Sequence, residues 1–244
     1  MRRQGTWHVG TSGWIYPHWR GVFYPQGLPQ SQWFSYYARF FDTVEVNNTF
    51  YRLPSAQAFD RWREQAPQGF LYSIKANRYI THIRRLRDCA EPLSRFLERA
   101  HHLQHTLGPI LYQCPPRWRP DPARLEAFVQ LLPNDIVQAF EFRDPRWFSP
   151  EILEILRTHQ KSFCIYHMPG TDCPLEVTAQ DIYIRLHGAG ALYAGKYDEA
   201  TLRAWAERIK AWCAEGHDVW VYFNNDAFGH AVDNALTLKE LLNK

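Results

Sequence analysis

Strand-like and helix-like segments alternate about eight times along these 244 residues, and this alternation limits the fold more than any other feature. Short runs rich in β-branched and aromatic residues predict strands at 7–11, 43–47, 70–75, 110–113, 137–143, 162–166, 181–187 and 218–223. Helical patterns lie between most of them. Ser55 is placed to cap a helix that runs to Ala66 and stops at Pro67. Residues 90–107 read as helix with Gly108-Pro109 as its stop. Ser149-Pro150-Glu151 supplies an N-cap, a proline at the first helical position and a first-turn acid. A long amphipathic helix from Asp198 closes at Gly216, and a last helix covers 229–242. Alternation of this kind calls for a parallel sheet with crossover helices. Eight such units in a chain of this length predict an α/β fold, a single (β/α)8 TIM-type barrel occupying residues 1–244 as one domain. An open doubly wound sheet is the competing reading. No linker or internal repeat divides the chain.

The predicted strands carry polar residues in phase. In Thr43-Val44-Glu45-Val46-Asn47, alternation sends Val44 and Val46 one way and Glu45 and Asn47 the other. A carboxylate and an amide on an inner face need polar partners there. The same phase on the other strands points Lys75, Gln113, Glu141, Arg143, Tyr166, Tyr183, Arg185, His187 and Asn224 inward, with Ser12 at the end of the first strand. The last inward residue of each strand is polar, and the carboxyl ends of barrel strands are where barrel active sites lie.

Composition narrows the class. Apolar residues make up 45%, enough for a large core, and the 16% aromatic content is high. Most of those rings are expected in the core. Trp14, Tyr16, Trp19, Phe50, Tyr51, Trp147, Tyr193 and Tyr197 follow strands and could line a mouth suited to ring stacking. The five cysteines are odd in number, scattered and without a C-x-x-C pair, which reads as a reduced, cytoplasmic chain. No signal peptide is expected after Arg2-Arg3, and no run approaches the roughly 18 apolar residues of a membrane span. A net charge of +3 permits an anionic partner without demanding one.

Several motifs are more specific. Gly10-Thr11-Ser12-Gly13-Trp14, the stretch from Thr43 to Pro54, Lys75-Ala76-Asn77-Arg78-Tyr79-Ile80-Thr81-His82 and Leu107 to Gln113 come in this order. Glu141-Phe142-Arg143 with Trp147, Arg185-Leu186-His187-Gly188 and Tyr222-Phe223-Asn224-Asn225-Asp226 follow. Together they resemble the YecE-like family, the domain of unknown function numbered 72, over nearly the whole chain. The resemblance implies a TIM-barrel-like fold and no activity. Asp144-Pro145-Arg146 ahead of Trp147 and a short loop after Tyr166 are small departures from its pattern.

The residues themselves support an enzyme acting on a small polar or anionic ligand at the carboxyl-end mouth. Glu45, Lys75, Glu141 and His187 are the catalytic candidates, as carboxylate pair, amine and imidazole. Ser12, Asn47, Tyr51, Gln113, Arg143, Tyr166, Arg185, Asn224 and Asp226 are the ligand-binding candidates. Hydrolase, lyase and isomerase chemistry all remain open. No nucleotide or zinc motif is present, so the cofactor is unknown. A divalent metal on Glu45, Glu141, His187 and Asp226 is less favoured among so many inward cations. Alternatives are a non-catalytic metabolite binder, a metal-assisted hydrolase or isomerase, a sugar hydrolase, and a nucleic-acid enzyme or binder using the basic run from Arg78 to Arg87.

Overall fold

β1 (Trp7–Thr11) is the first of eight strands, and in the computed structural model it lies beside the last. Residues 3–190 and 193–244 are described. β2 (Thr43–Val46), β3 (Leu71–Lys75), β4 (Leu107–Gln113), β5 (Gln138–Glu141), β6 (Ser162–His167), β7 (Asp181–Leu186) and β8 (Asp218–Phe223) follow. The helices are α1 (Trp33–Tyr37), α2 (Asn48–Tyr51), α3 (Ala56–Gln65), α4 (Ala90–His101), α5 (Pro122–Val129), α6 (Pro150–Thr158), α7 (Glu199–Glu215) and α8 (His230–Leu242). The strands form one parallel sheet in the order β1-β8-β7-β6-β5-β4-β3-β2. Its two ends meet at a parallel bridge between Ser12 and Glu45, which nearly closes the sheet into a (β/α)8 TIM-type barrel. Strands covered on both faces should be buried along their whole length, and β2 and β5 are.

Helix starts follow the sequence signals. Ser55 Oγ accepts from Ala58 N at 3.3 Å, Ser149 Oγ from Ile152 N at 3.4 Å and Asp198 Oδ1 from Thr201 N at 2.7 Å. Gly216 closes α7 at φ 105°, a left-handed conformation that favours glycine.

Compact packing divides the chain into two units. The first comprises Met1–Glu45, Tyr166–Asp172 and Tyr183–Lys244. Its aromatic core includes Tyr24 stacked on Trp33 at 4.7 Å, with Trp19 and Tyr37 fully buried nearby in sequence. The second comprises Val46–Ile165 and Cys173–Ile182. There Tyr112 stacks on Phe140 at 5.1 Å and Phe142 on Trp147 at 4.5 Å. Phe140 and Phe142 thus share one face of their segment, as alternation requires.

Three local expectations are corrected. Gly108-Pro109 lies inside β4 rather than stopping a helix; α4 ends at His101 and a short 3-10 turn covers Gln104–Thr106. A proline in a strand is tolerated where pairing is irregular, and the register against β3 shifts between Tyr72 and Ile74. Pro109 O there accepts from Ser73 Oγ at 2.9 Å. β5 ends at Glu141, so Arg143 lies beyond it. Asp144 caps the turn Pro145–Trp147 through Arg146 N at 3.1 Å, which ends the extended run. Residues 48–51, whose Phe50 and Tyr51 were expected only to follow the second strand, form the single turn α2.

Candidate active site

In the first unit the site is built around Glu45, which is wholly buried. Its Oε1 accepts from Ser12 Oγ and from an Arg185 guanidinium nitrogen, both at 2.7 Å, and its Oε2 accepts from Tyr183 hydroxyl at 2.7 Å. Arg185 is 1% exposed, so this is a buried ion pair with further hydrogen bonds on the carboxylate. A buried charge is tolerable under these conditions. Strands β2 and β7, with the residue just past β1, supply the cluster. Tyr222 on β8 shares a 2.8 Å hydrogen bond with Thr43 and packs on Tyr183 at 5.2 Å. Three donors on one carboxylate fix it in place, so the arrangement suits orientation better than proton exchange.

His187, just past β7, is fully buried. Its backbone N–H continues the strand ladder to His167 O at 2.9 Å. Its Nδ1 lies 3.1 Å from Asn224 Nδ2, and an amide NH2 donates, which leaves the proton of a neutral ring on Nε2. Tyr166 and Tyr193 stand edge-on to the ring at 5.9 and 5.6 Å. An imidazole held this way can act as a proton donor or acceptor. Asp226 is placed apart from the Glu45 cluster by its contacts. Its carbonyl accepts from His18 Nε2 at 2.8 Å, its carboxylate lies 3.6 Å from the same nitrogen, and burial raises its pKa.

The second unit has its own group at the ends of β3, β4 and β5. The Lys75 ammonium, on a residue 8% exposed, donates to Gln113 Oε1 at 2.5 Å and lies 4.3 Å from the Phe50 ring centroid. Thr49 Oγ1 donates to Lys75 O at 2.6 Å, which ties α2 to β3. The buried Glu141 carboxylate is paired with Arg143 Nε, and Cys164 Sγ approaches its Oε2 at 3.8 Å. Asn47 caps α2 in backbone position and is partly buried. Tyr51 is not brought to these groups. It is 72% exposed and meets the Phe50 ring edge-on at 5.1 Å. Successive residues on a helical turn point about 100° apart, so Phe50 toward Lys75 leaves Tyr51 toward solvent.

Two residues of these groups are not among the catalytic and ligand-binding candidates. Alternation already turns Tyr183 inward with Arg185 and His187, but nothing in its phase marks it as a partner of Glu45. His82 had no such signal. It follows β3 by seven residues and stands edge-on to Phe50 at 4.9 Å. Burial first, then the cations of Lys75, Arg78 and Arg85, lower its pKa from 6.5 to about 4. Among the described residues no three His, Cys, Asp or Glu side chains group as metal ligands. No helix among them is long and apolar enough to cross a membrane.

The family model described as "Protein of unknown function DUF72" matches residues 8–244. The chain belongs to the DUF72 family. The resemblance carried by the motifs therefore holds. The UPF0759 protein YecE of Escherichia coli K12 is 31% identical over 143 residues, covering 58% of this chain and 50% of YecE. The chain thus spans about half the length of that relative. The UPF0759 protein YunF of Bacillus subtilis 168 is 26% identical over 96% of this chain and 94% of its own. The crystal structure of a DUF72 family protein from Thermotoga maritima is 29% identical, covering 98% of this chain and all of that one, with a TM-score of 0.87. These DUF72 and UPF0759 names carry no reaction, substrate or ligand.

Proposed function

We infer that this DUF72 protein is an enzyme acting on a small polar, anionic molecule at the carboxyl ends of its barrel strands. One observation carries the reading: in each unit, the strand ends hold buried charged and amide side chains bonded to one another. Barrels keep their catalytic residues at these ends, because the loops there can vary while the strands stay fixed.

In the second unit Lys75 and Arg143 are the anion-holding groups, Gln113 and Asn47 orient the ligand, and Glu141 transfers protons. In the first unit His187 is the acid–base group, set by Asn224 and flanked by Tyr166. The Glu45–Arg185 pair, with Ser12 and Tyr183, is the fixed scaffold for that imidazole. Tyr51 and Asp226 have peripheral roles. A non-catalytic metabolite binder would use the same anion-holding groups, and turnover separates the two readings.

The test is native mass spectrometry of freshly purified protein. A co-purifying small anion, lost in Lys75→Met while the variant keeps its far-ultraviolet circular dichroism, is the expected result. A folded wild-type protein that neither retains nor takes up any anion from a metabolite extract would overturn the reading.

A further inference from the structure

The second unit carries a groove whose lining is dominated by arginine. Two loops build it, one after β3 and one after β4, and its volume is about 1030 Å³. Arg84, Arg85 and Arg87 come from the first loop, Arg117 and Arg119 from the second, and Arg124 from the start of α5. The first five are exposed, and none of them has an ion-pair partner among the described residues. Only Arg124 is neutralised, by Asp121 at 2.9 Å.

The charge is unevenly placed. The groove holds six of the chain's 28 Lys and Arg and one of its 25 Asp and Glu. The remaining 22 and 24 leave the rest of the chain net negative by two, so the net charge of +3 arises in this groove. Unneutralised like charges repel and destabilise the compact state, and a bound polyanion would relieve that repulsion. The backbone holds them there at a cost. Arg85, Leu86 and Asp88 in one loop and Arg117 in the other have φ between 49° and 63°. Such non-glycine outliers cluster at ligand clamps. Leu86 and Cys89, 3% and 1% exposed, anchor the first loop, and Trp118, 5% exposed, anchors the second. Trp118 O accepts from Trp147 Nε1 at 2.7 Å.

We propose that this groove binds a single-stranded nucleic acid by its phosphates. Guanidinium groups match phosphate oxygens two at a time, and all six cations are arginine. The volume lies just above the roughly 300–1,000 Å³ of small-ligand pockets, enough for several nucleotides and more than one phosphorylated metabolite needs. A protein partner would require an apolar centre, and the main aromatic wall, Trp118, is 5% exposed. His82 also lines the groove, and its ring meets Phe50 beside Lys75. The binding claim does not depend on the enzymatic reading.

The test is fluorescence anisotropy of the full chain with labelled single-stranded DNA and RNA of about twelve nucleotides, titrated from about 50 to about 200 mM salt. Four to five phosphate contacts predict a slope of log affinity on log salt of about −3, a loss of about 60-fold over that range. Arg87→Ala with Arg119→Ala, both at ordinary φ, should bring the slope to about −1.6. Arg203→Ala on α7 should leave it unchanged. No binding by the folded protein overturns the proposal, as does a slope indifferent to the Arg87 and Arg119 changes. It is also overturned if polyglutamate binds as tightly as the strand, which would indicate an acidic protein partner, or if inorganic phosphate or a mononucleotide does, which would indicate a single-phosphate site.

Discussion

His82 shows how one residue reports its surroundings. Its pKa falls from 6.5 to about 4 because burial and the charges of Lys75, Arg78 and Arg85 all disfavour imidazolium. The unfolded chain takes up that proton near pH 6.5 and the folded chain does not. Protons bound only by the unfolded state lower stability as pH falls. His82 therefore contributes a loss of stability that grows between pH 6.5 and about 4 and is absent above that window. The ring should titrate near pH 4 by proton NMR, and His82→Asn should flatten the pH dependence of the denaturation midpoint in that window. Normal titration of His82 near 6.5 would mean that its ring is neither buried nor held beside these cations. The sequence hinted at such effects only through composition. Glu45, Lys75, Glu141, Arg185 and His187 were legible because strand alternation is local. The contact between His82 and Phe50 was not, since it depends on where a turn carries the chain after its strand.

Elements set how closely those residues approach. The seam between β1 and β2 is closed by the Ser12–Glu45 bridge and narrowed at Gly10, where a Cβ would stand 2.3 Å from Thr43 O. No side chain fits there without pushing the strands apart. Gly10→Ala is expected to destabilise the protein by about 1–3 kcal/mol, as overpacking does, and to be read as a lower urea midpoint with an unchanged slope. An unchanged midpoint would mean the seam gives way easily. The same element logic explains the misread proline. Gly108-Pro109 looks like a helix stop in sequence because both residues disfavour helix. In the fold they sit where β3 and β4 change register, and a Cβ on Gly108 would lie 3.2 Å from Tyr72 O. That close approach is a property of two strands, so one strand's sequence could not show it. The arginines after β3 were visible as a run, but Arg117 and Arg119, thirty residues later, become their neighbours only through the β4 loop.

At the scale of the whole molecule, eight alternating units were enough to indicate the barrel, because short crossovers leave few ways to bury both faces of a parallel sheet. Function was less legible, since one barrel fold serves many chemistries and the sites are set by a few side chains. The central claim is that buried charges at the strand ends perform proton-transfer chemistry on an anionic molecule. The most direct measurement is mass-spectrometric tracking of a metabolite extract incubated with the protein, beside His187→Ala and Glu141→Gln. The account predicts that wild type consumes an anionic species and that each variant, still folded, slows this by about 10²-fold or more. Consumption at the wild-type rate by both folded variants, or no consumption by wild type, would contradict it.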